Sequence, residues 1–264
     1  MSRPYADRPG CNYCNNCGRG CPRADKGSVD VTFIHQALRT GNCTIRTRAS
    51  VLAIETSDND RVGAVLYRDV DNNEVRVRAR AIVVACGAVE TPRLLLNSAD
   101  RHAQNGLANE SGQVGRNFME TIFWRSSALH PEPLGSHRGI PADGICWDYN
   151  KPDAIDDVIG GCRFNTSTGE VGLVGPINYA RRIVGGWGRQ HKQRMREMFG
   201  RVIAVGAVGE SLPNADSRID LDPEARDEHG ISRARIHSHL DDMALRRLSF
   251  MWRQMPGNPR GQWC

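Results

Sequence analysis

Several features are missing from this chain, and each absence excludes a class of protein. No window approaches the roughly 18 consecutive apolar residues of a membrane-spanning helix. Met1 to Pro9 are polar and carry no apolar core of a secretory signal. There is no internal repeat and no low-complexity tract. The net charge is +5, but no RNA- or DNA-binding motif accompanies it, so groups such as Arg76–Arg80 and Arg181–Arg182 read as solvated surface. The dinucleotide-binding glycine fingerprint is also absent. Gly18-x-Gly20 is followed by Arg23 where a third glycine should stand, in a Cys-rich loop rather than after a strand.

What remains is a chain of 264 residues, 39% apolar, long enough for one large or two modest domains. Its nine cysteines are unevenly placed. Cys11, Cys14, Cys17 and Cys21 fall close together, whereas Cys43, Cys86, Cys146, Cys162 and Cys264 are scattered. A disulfide framework would distribute pairs across a small chain, so this pattern reads as one local site plus incidental thiols. Cys11-x2-Cys14-x2-Cys17-x3-Cys21-Pro22 has a bacterial ferredoxin spacing. Soft sulfur donors favour an iron–sulfur cluster or zinc over hard cations. No second quartet exists, so Cys21 either joins the same site or stays free. A metal-free thiol or disulfide loop is the third reading. A thioredoxin-type pair is disfavoured, because no helix N-terminus follows Cys11 to lower a thiol pKa.

The pattern along the chain is mixed. Pro9 to Gly27 is a loop. Ser28 caps a predicted helix to Arg39, with Val31, Ile34, Ala37 and Leu38 on one face and Gly41 as its stop. Short strands are predicted at Cys43–Thr47, Val51–Thr56, Arg61–Tyr67 and Glu74–Ala79. Turns fall at Asp58-Asn59-Asp60 and Asp71-Asn72-Asn73, giving an antiparallel meander. Ala81 to Cys86 is a continuous apolar run, predicted as a strand buried on both faces, and Thr91-Pro92 opens the next helix. From about Asn117 apolar segments shorten. There a mostly β region is expected, with strands at Val202–Val208 and Asp216–Asp222 and helices at Gln193–Phe199 and Asp241–Gln254.

Ala85-Cys86-Gly87-Ala88-Val89-Glu90-Thr91-Pro92-Arg93-Leu94-Leu95-Leu96-Asn97-Ser98 resembles the second signature of the glucose–methanol–choline (GMC) oxidoreductases, with Cys86 in place of the usual small residue. Val114 to Met119 is similar to the family's entry into its substrate domain, although Glu120-Thr121 stands where the family commonly has a His. Glu210 to Asp222 and Asp227 to Ile231 resemble its late strand. The Cys-rich segment from Ser2 to Ser28 looks like that of a bacterial sugar and polyol dehydrogenase branch.

This resemblance implies an α/β (α+β) fold. A partial FAD-binding, Rossmann-like domain with a β-meander spans residues 1–116 and includes the Cys-rich loop 9–27. A mostly antiparallel β substrate domain spans 117–236, and 237–264 begins a C-terminal segment. It implies FAD along Ala85, Cys86, Gly87 and Ala88, with Gly87 allowing close backbone approach and Val51 near the adenine. Cys11, Cys14, Cys17 and Cys21 would hold a [3Fe–4S] or [4Fe–4S] centre. The expected activity is dehydrogenation of an alcohol, sugar or polyol at a CH–OH group. Electrons would pass to an acceptor subunit or cytochrome, with no nucleic-acid partner. The family's pyrophosphate-binding glycines precede any region present here, and its catalytic His is expected beyond Cys264. The chain therefore reads as an interior fragment with no assigned base, His237 and His239 being surface or capping residues. The competing readings are an inactive remnant and a zinc-binding interaction module built on the Cys loop.

Overall fold

Val, Ile and Tyr alternating with polar residues make the meander. Strands β1 (Ser50–Thr56), β2 (Val62–Arg68) and β3 (Glu74–Arg78) pair antiparallel in the order β1-β2-β3. In this computed structural model, residues 3–57, 61–140, 142, 144–166 and 176–255 are described, so the expected turn at 58–60 lies outside them. Leu52 and Ile54 of β1 and Ala64 and Tyr67 of β2 are buried. The β2–β3 turn is held by Asp69, whose Oδ1 accepts the N–H groups of Asp71 and Asn73, and Asn72 takes φ +66° there.

Helix α2 (Gly87–Asn97) packs on β1 and on the antiparallel hairpin of β8 (Arg218–Arg226) and β9 (Ser232–His237). Buried Ser98, just past the helix, accepts the Ile54 N–H at 2.9 Å and donates to the Leu94 carbonyl at 2.6 Å. β8 runs through Pro223 because the register is irregular there: Asp222 Oδ1 accepts the N–H groups of Glu224 and Ala225, replacing ladder bonds. These elements form one compact unit, Thr44–Glu120 with Leu212–Asp241.

The other unit comprises Met1–Cys43, Thr121–Ser211 and Asp242–Cys264. Both units are thus discontinuous in sequence, whereas the resemblance implies consecutive blocks divided at 116/117 and 236/237. In this unit β4 (Ile122–Leu129), β5 (Ile145–Cys146), β6 (Cys162–Thr166) and β7 (Val202–Gly209) form an antiparallel sheet ordered β4-β7-β6-β5. Helix α5 (Asp242–Arg253) covers β4 and β7. Ile122, Val158, Phe164, Ala207 and Met251 are buried in that core, and Tyr149 meets Phe164 and Phe250 edge-on. Arg247 on α5 is fully buried and donates to the backbone carbonyls of Ile159, Gly160 and Glu210. The same unit holds helices α1 (His35–Arg39), α3 (Pro176–Tyr179) and α4 (Gly188–Met198), with a π-helical turn at Asp30–Ile34 leading into α1.

The mixed α/β class stands, and the sheets among the described residues are antiparallel. Three local expectations are corrected. Cys43–Thr47 is not a strand, because no described segment hydrogen-bonds beside it. Ala81–Cys86 is not a buried strand either: the run lies outside the sheets, and Val83 is 88% exposed. An apolar run becomes a buried strand only with neighbours on both edges and both faces, and here it has no strand partner among the described residues. Helix α2 starts at Gly87, not at Thr91-Pro92. Thr91 Oγ1 accepts the Cys86 N–H at 3.1 Å, which stabilises that earlier start, and Pro92 sits inside the helix. Elsewhere β4, β6 and β9 went unforeseen, since their mixed side chains show little alternation.

Gly115 is the tightest backbone approach in its unit. It sits at φ +81°, accepts the Ile219 N–H at 2.7 Å, and a Cβ there would lie 2.1 Å from the Ile219 carbonyl oxygen. Gly115→Ala must therefore separate that backbone pair. The expected loss is about 3 kcal/mol or more, read as a fall in urea midpoint.

Candidate functional site

The turn expected to face a cofactor opens outward. Ala85, Cys86, Gly87 and Ala88 are exposed at the start of α2. Gly87 has φ +84°, a conformation that disfavours a side chain, and a Cβ there would meet no protein atom within 4 Å. The protein leaves the space beside this backbone free. The first N–H groups of α2 have no intrahelical acceptor and form a favourable place for an anionic or carbonyl-bearing ligand.

Val51, the residue expected near an adenine, is 45% exposed on β1. It lines a cavity of about 300 Å³ together with Arg93, Leu94 and Asn97 of α2 and the turn Asp227–Ile231 between β8 and β9. Sequence reasoning missed the polar side of this cavity. Arg93 donates through Nε to the Ser232 carbonyl at 2.8 Å, pairs with Glu90 at 2.9 Å, and pairs with Asp227. Asp227 also accepts the N–H groups of His229 and Ile231, both at 2.9 Å. Burial pushes the Asp227 carboxyl up, but the Ile231 N–H, the Arg93 guanidinium and the His229 N–H outweigh it and hold the pKa below the ordinary value. The signal for this pair was the sequence Asp227-Glu228-His229-Gly230, a turn with its own carboxylate cap. Its partner, 134 positions away, left no local trace.

The four clustered cysteines share one loop. Cys11, Cys14, Cys17 and Cys21 are all partly buried. Cys11 Sγ accepts the Tyr13 N–H at 3.3 Å, and the Tyr13 carbonyl accepts the Gly139 N–H at 2.8 Å. Cys21 Sγ donates to Asp25 at 2.7 Å, and Lys26 Nζ donates to the Cys17 carbonyl at 2.9 Å. Burial raises the Cys17 thiol pKa, and thiolates at Cys11, Cys21 and Cys14 raise it further against the lowering by Lys26. The sulfurs are therefore electrostatic neighbours. Among the described residues, however, no group of three or more His, Cys, Asp or Glu side chains is arranged to hold a metal ion.

His237 Nε2 lies 2.9 Å from Asp220 Oδ2, and Arg235 makes a two-pronged pair with the same carboxylate. Arg235 above all, with His237 adding to it, holds the Asp220 pKa down against burial. His239 contributes its backbone N–H to Ser217 Oγ at 3.0 Å.

Comparison with known proteins adds a set of similarities. Residues 3–122 match the sequence profile described as GMC oxidoreductase. The chain is 26% identical over 249 residues to a 2-methyl-1,2-propanediol dehydrogenase of Mycolicibacterium austroafricanum, covering 93% of this chain and 45% of that protein. It is 28% identical over 230 residues to the fructose dehydrogenase large subunit of Gluconobacter japonicus, covering 87% and 41%. It is 27% identical over 262 residues to the paromamine 6'-oxidase of Streptomyces fradiae, covering 94% and 43%. The chain thus spans less than half the length of these relatives, and the resemblance carried by residues 85–98 holds across most of it.

The Arg93–Asp227 pair has a testable pH signature. Because the folded Asp227 pKa is depressed, its stabilisation is present above the unfolded carboxylate value and is lost as pH falls through the folded one. Asp227→Asn should lower stability near neutrality by about 1–2 kcal/mol. Urea titrations should show parent and variant converging below about pH 4.

Proposed function

Taking as premise that this chain is kin to the GMC oxidoreductases, we propose that it forms the flavin-facing part of an FAD-dependent dehydrogenase acting on a CH–OH group. The supporting observation is the exposed, left-handed Gly87 at the head of α2, with free space where a side chain would stand. The backbone of Ala85, Cys86, Gly87 and Ala88 would hold the isoalloxazine end of FAD, and Val51 would lie at the adenine end. The apolar run Ile82–Val84, with Val83 exposed, is the segment that a nucleotide-binding sheet would bury. Bound FAD supplies a hydride acceptor for the alcohol carbon. No residue of this chain is assigned as the base. His237 is engaged by Asp220, and His239 lies beside the Ser217 backbone contact.

Cys11, Cys14, Cys17 and Cys21 would bind an iron–sulfur cluster that relays single electrons. Donor chemistry supports this, although the sulfurs would first have to be drawn together: four soft thiols share a loop whose turns use Tyr13 at φ +57°, Asn15 at φ +58° and Gly20 at φ +74°. Burial and neighbouring sulfur charge disfavour ionisation of Cys17, and a bound cation would offset that. This reading makes the protein a dehydrogenase that passes electrons to a carrier or partner subunit; the words "large subunit" in the name of the Gluconobacter relative say that that protein has a further subunit. The substrate class is an alcohol, sugar or polyol, in line with the propanediol and fructose in the names of two relatives.

Two measurements test this. FAD titrated into the purified chain should show quenched flavin fluorescence, and Gly87→Val should weaken binding by about tenfold or more. A parent chain indifferent to FAD would count against the flavin reading. Anaerobic reconstitution with iron and sulfide should give visible absorbance and an EPR signal, both absent in Cys14→Ser. Metal analysis that finds zinc without iron or sulfide would replace the cluster with a structural ion.

A further inference from the structure

Residues 176–201 carry seven arginines and lysines against one carboxylate, Glu197, which exceeds the +5 of the whole chain. The rest of the molecule is therefore close to neutral, and the positive charge is concentrated on this stretch. Arg181, Arg189, Lys192, Arg194 and Arg196 are exposed. None of the five pairs with a carboxylate among the described residues. Glu197 is occupied by Gln193 at 2.9 Å. The inward side of α4 is anchored: Met195 and Met198 pack on the small core of Tyr179, Val184 and Val202. Its basic residues are therefore turned outward by packing.

At the head of this helix stands the most exposed large apolar side chain of the described residues. Trp187 is 90% exposed, and Ile177 in the same stretch is 74% exposed. Trp187 lies among Gly185, Gly186 and Gly188, all at positive φ, and a Cβ on any of them would meet no atom within 4 Å. The loop therefore stands clear of the protein. Its base is secured by His191, whose Nδ1 lies 2.7 Å from the Gly185 carbonyl. Behind it, a shallow groove of about 700 Å³ sets Arg194, Arg201 and His130 around Leu129, Val184 and Met198, with Glu197 at its edge. Guanidiniums over an apolar floor match a phosphate joined to a hydrocarbon chain.

We infer that this face docks on an anionic lipid bilayer, with Trp187 entering the interface and the basic side of α4 meeting the headgroups. An acidic protein or a nucleic acid would satisfy the cations, but neither accounts for an indole held clear of the fold on a glycine-flanked tip. A bilayer interface accommodates an aromatic ring and attracts lysine and arginine together. No helix among the described residues is long and apolar enough to cross a membrane, and the contact inferred is with the surface. The inference does not rest on the flavin reading.

The test is vesicle sedimentation of the full chain, using phosphatidylcholine alone or mixed with about one-third phosphatidylglycerol. Binding should appear only with the anionic vesicles and be lost in high salt. The triple variant Arg189→Gln, Lys192→Gln, Arg194→Gln should partition about 100-fold less while keeping the parent's thermal melt. Brominated acyl chains should quench tryptophan fluorescence in the parent and not in Trp187→Phe. Equal binding to neutral vesicles, full partitioning by the triple variant, or quenching that persists in Trp187→Phe overturns the inference. Capture by duplex DNA without vesicle binding does the same.

Discussion

Helix α2 occupies its position through a few polar contacts made midway and at its foot, and the candidate flavin turn is simply the head of that helix. At its foot, Ser98 joins the Leu94 carbonyl to the Ile54 N–H of the meander. Midway, Arg93 and Asn97 both donate to the Ser232 carbonyl, and Arg93 also reaches Asp227. A partly buried guanidinium with three kinds of acceptor is costly to strand, so the helix cannot slide by a turn without leaving charges unpaired. The direction of the Gly87 turn is thereby inherited from contacts made well away from it.

The two compact units solve the same packing problem differently. One rests on a three-stranded meander whose buried residues are few, Leu52, Ile54, Ala64 and Tyr67, and relies on the Gly115–Ile219 backbone approach and the Arg93 network for closure. The other has a larger apolar core under α5, yet at its centre a buried Arg247 serves three backbone carbonyls left free by the Ile159-Gly160 and Glu210 segments. In both cases an arginine does what a strand neighbour would otherwise do, satisfying carbonyls that irregular backbone leaves without partners.

Charge also has a division of labour. Glu55 with Arg76, Asp220 with Arg235, and Asp227 with Arg93 are pairs in which each cation has a carboxylate to itself or shares it locally. Arg181, Arg189, Lys192, Arg194 and Arg196 have no such partners among the described residues, and so the +5 net charge is a local property rather than a uniform coat. Arg76 is paired with Glu55, whereas Arg181, Arg189, Lys192, Arg194 and Arg196 are exposed.

Much was legible in the sequence, and the pattern of success is physical. Strands β1, β2, β3 and β7, helices α4 and α5, the stop at Gly41 and the clustered cysteines all announce themselves through short-range periodicity, turn chemistry or spacing, which are local properties of the chain. The resemblance to the GMC oxidoreductases was likewise readable in residues 85–98. Tertiary structure alone decided the rest. Whether Ala81–Cys86 is a strand depends on neighbours that no window of sequence contains. Whether 43–47 pairs, which unit claims residues 212–241, and which carboxylate meets Arg93 are all settled by contacts between segments far apart. An apolar run specifies that it should be buried, but only the fold determines against what, because burial and hydrogen bonding are properties of pairs and not of single segments.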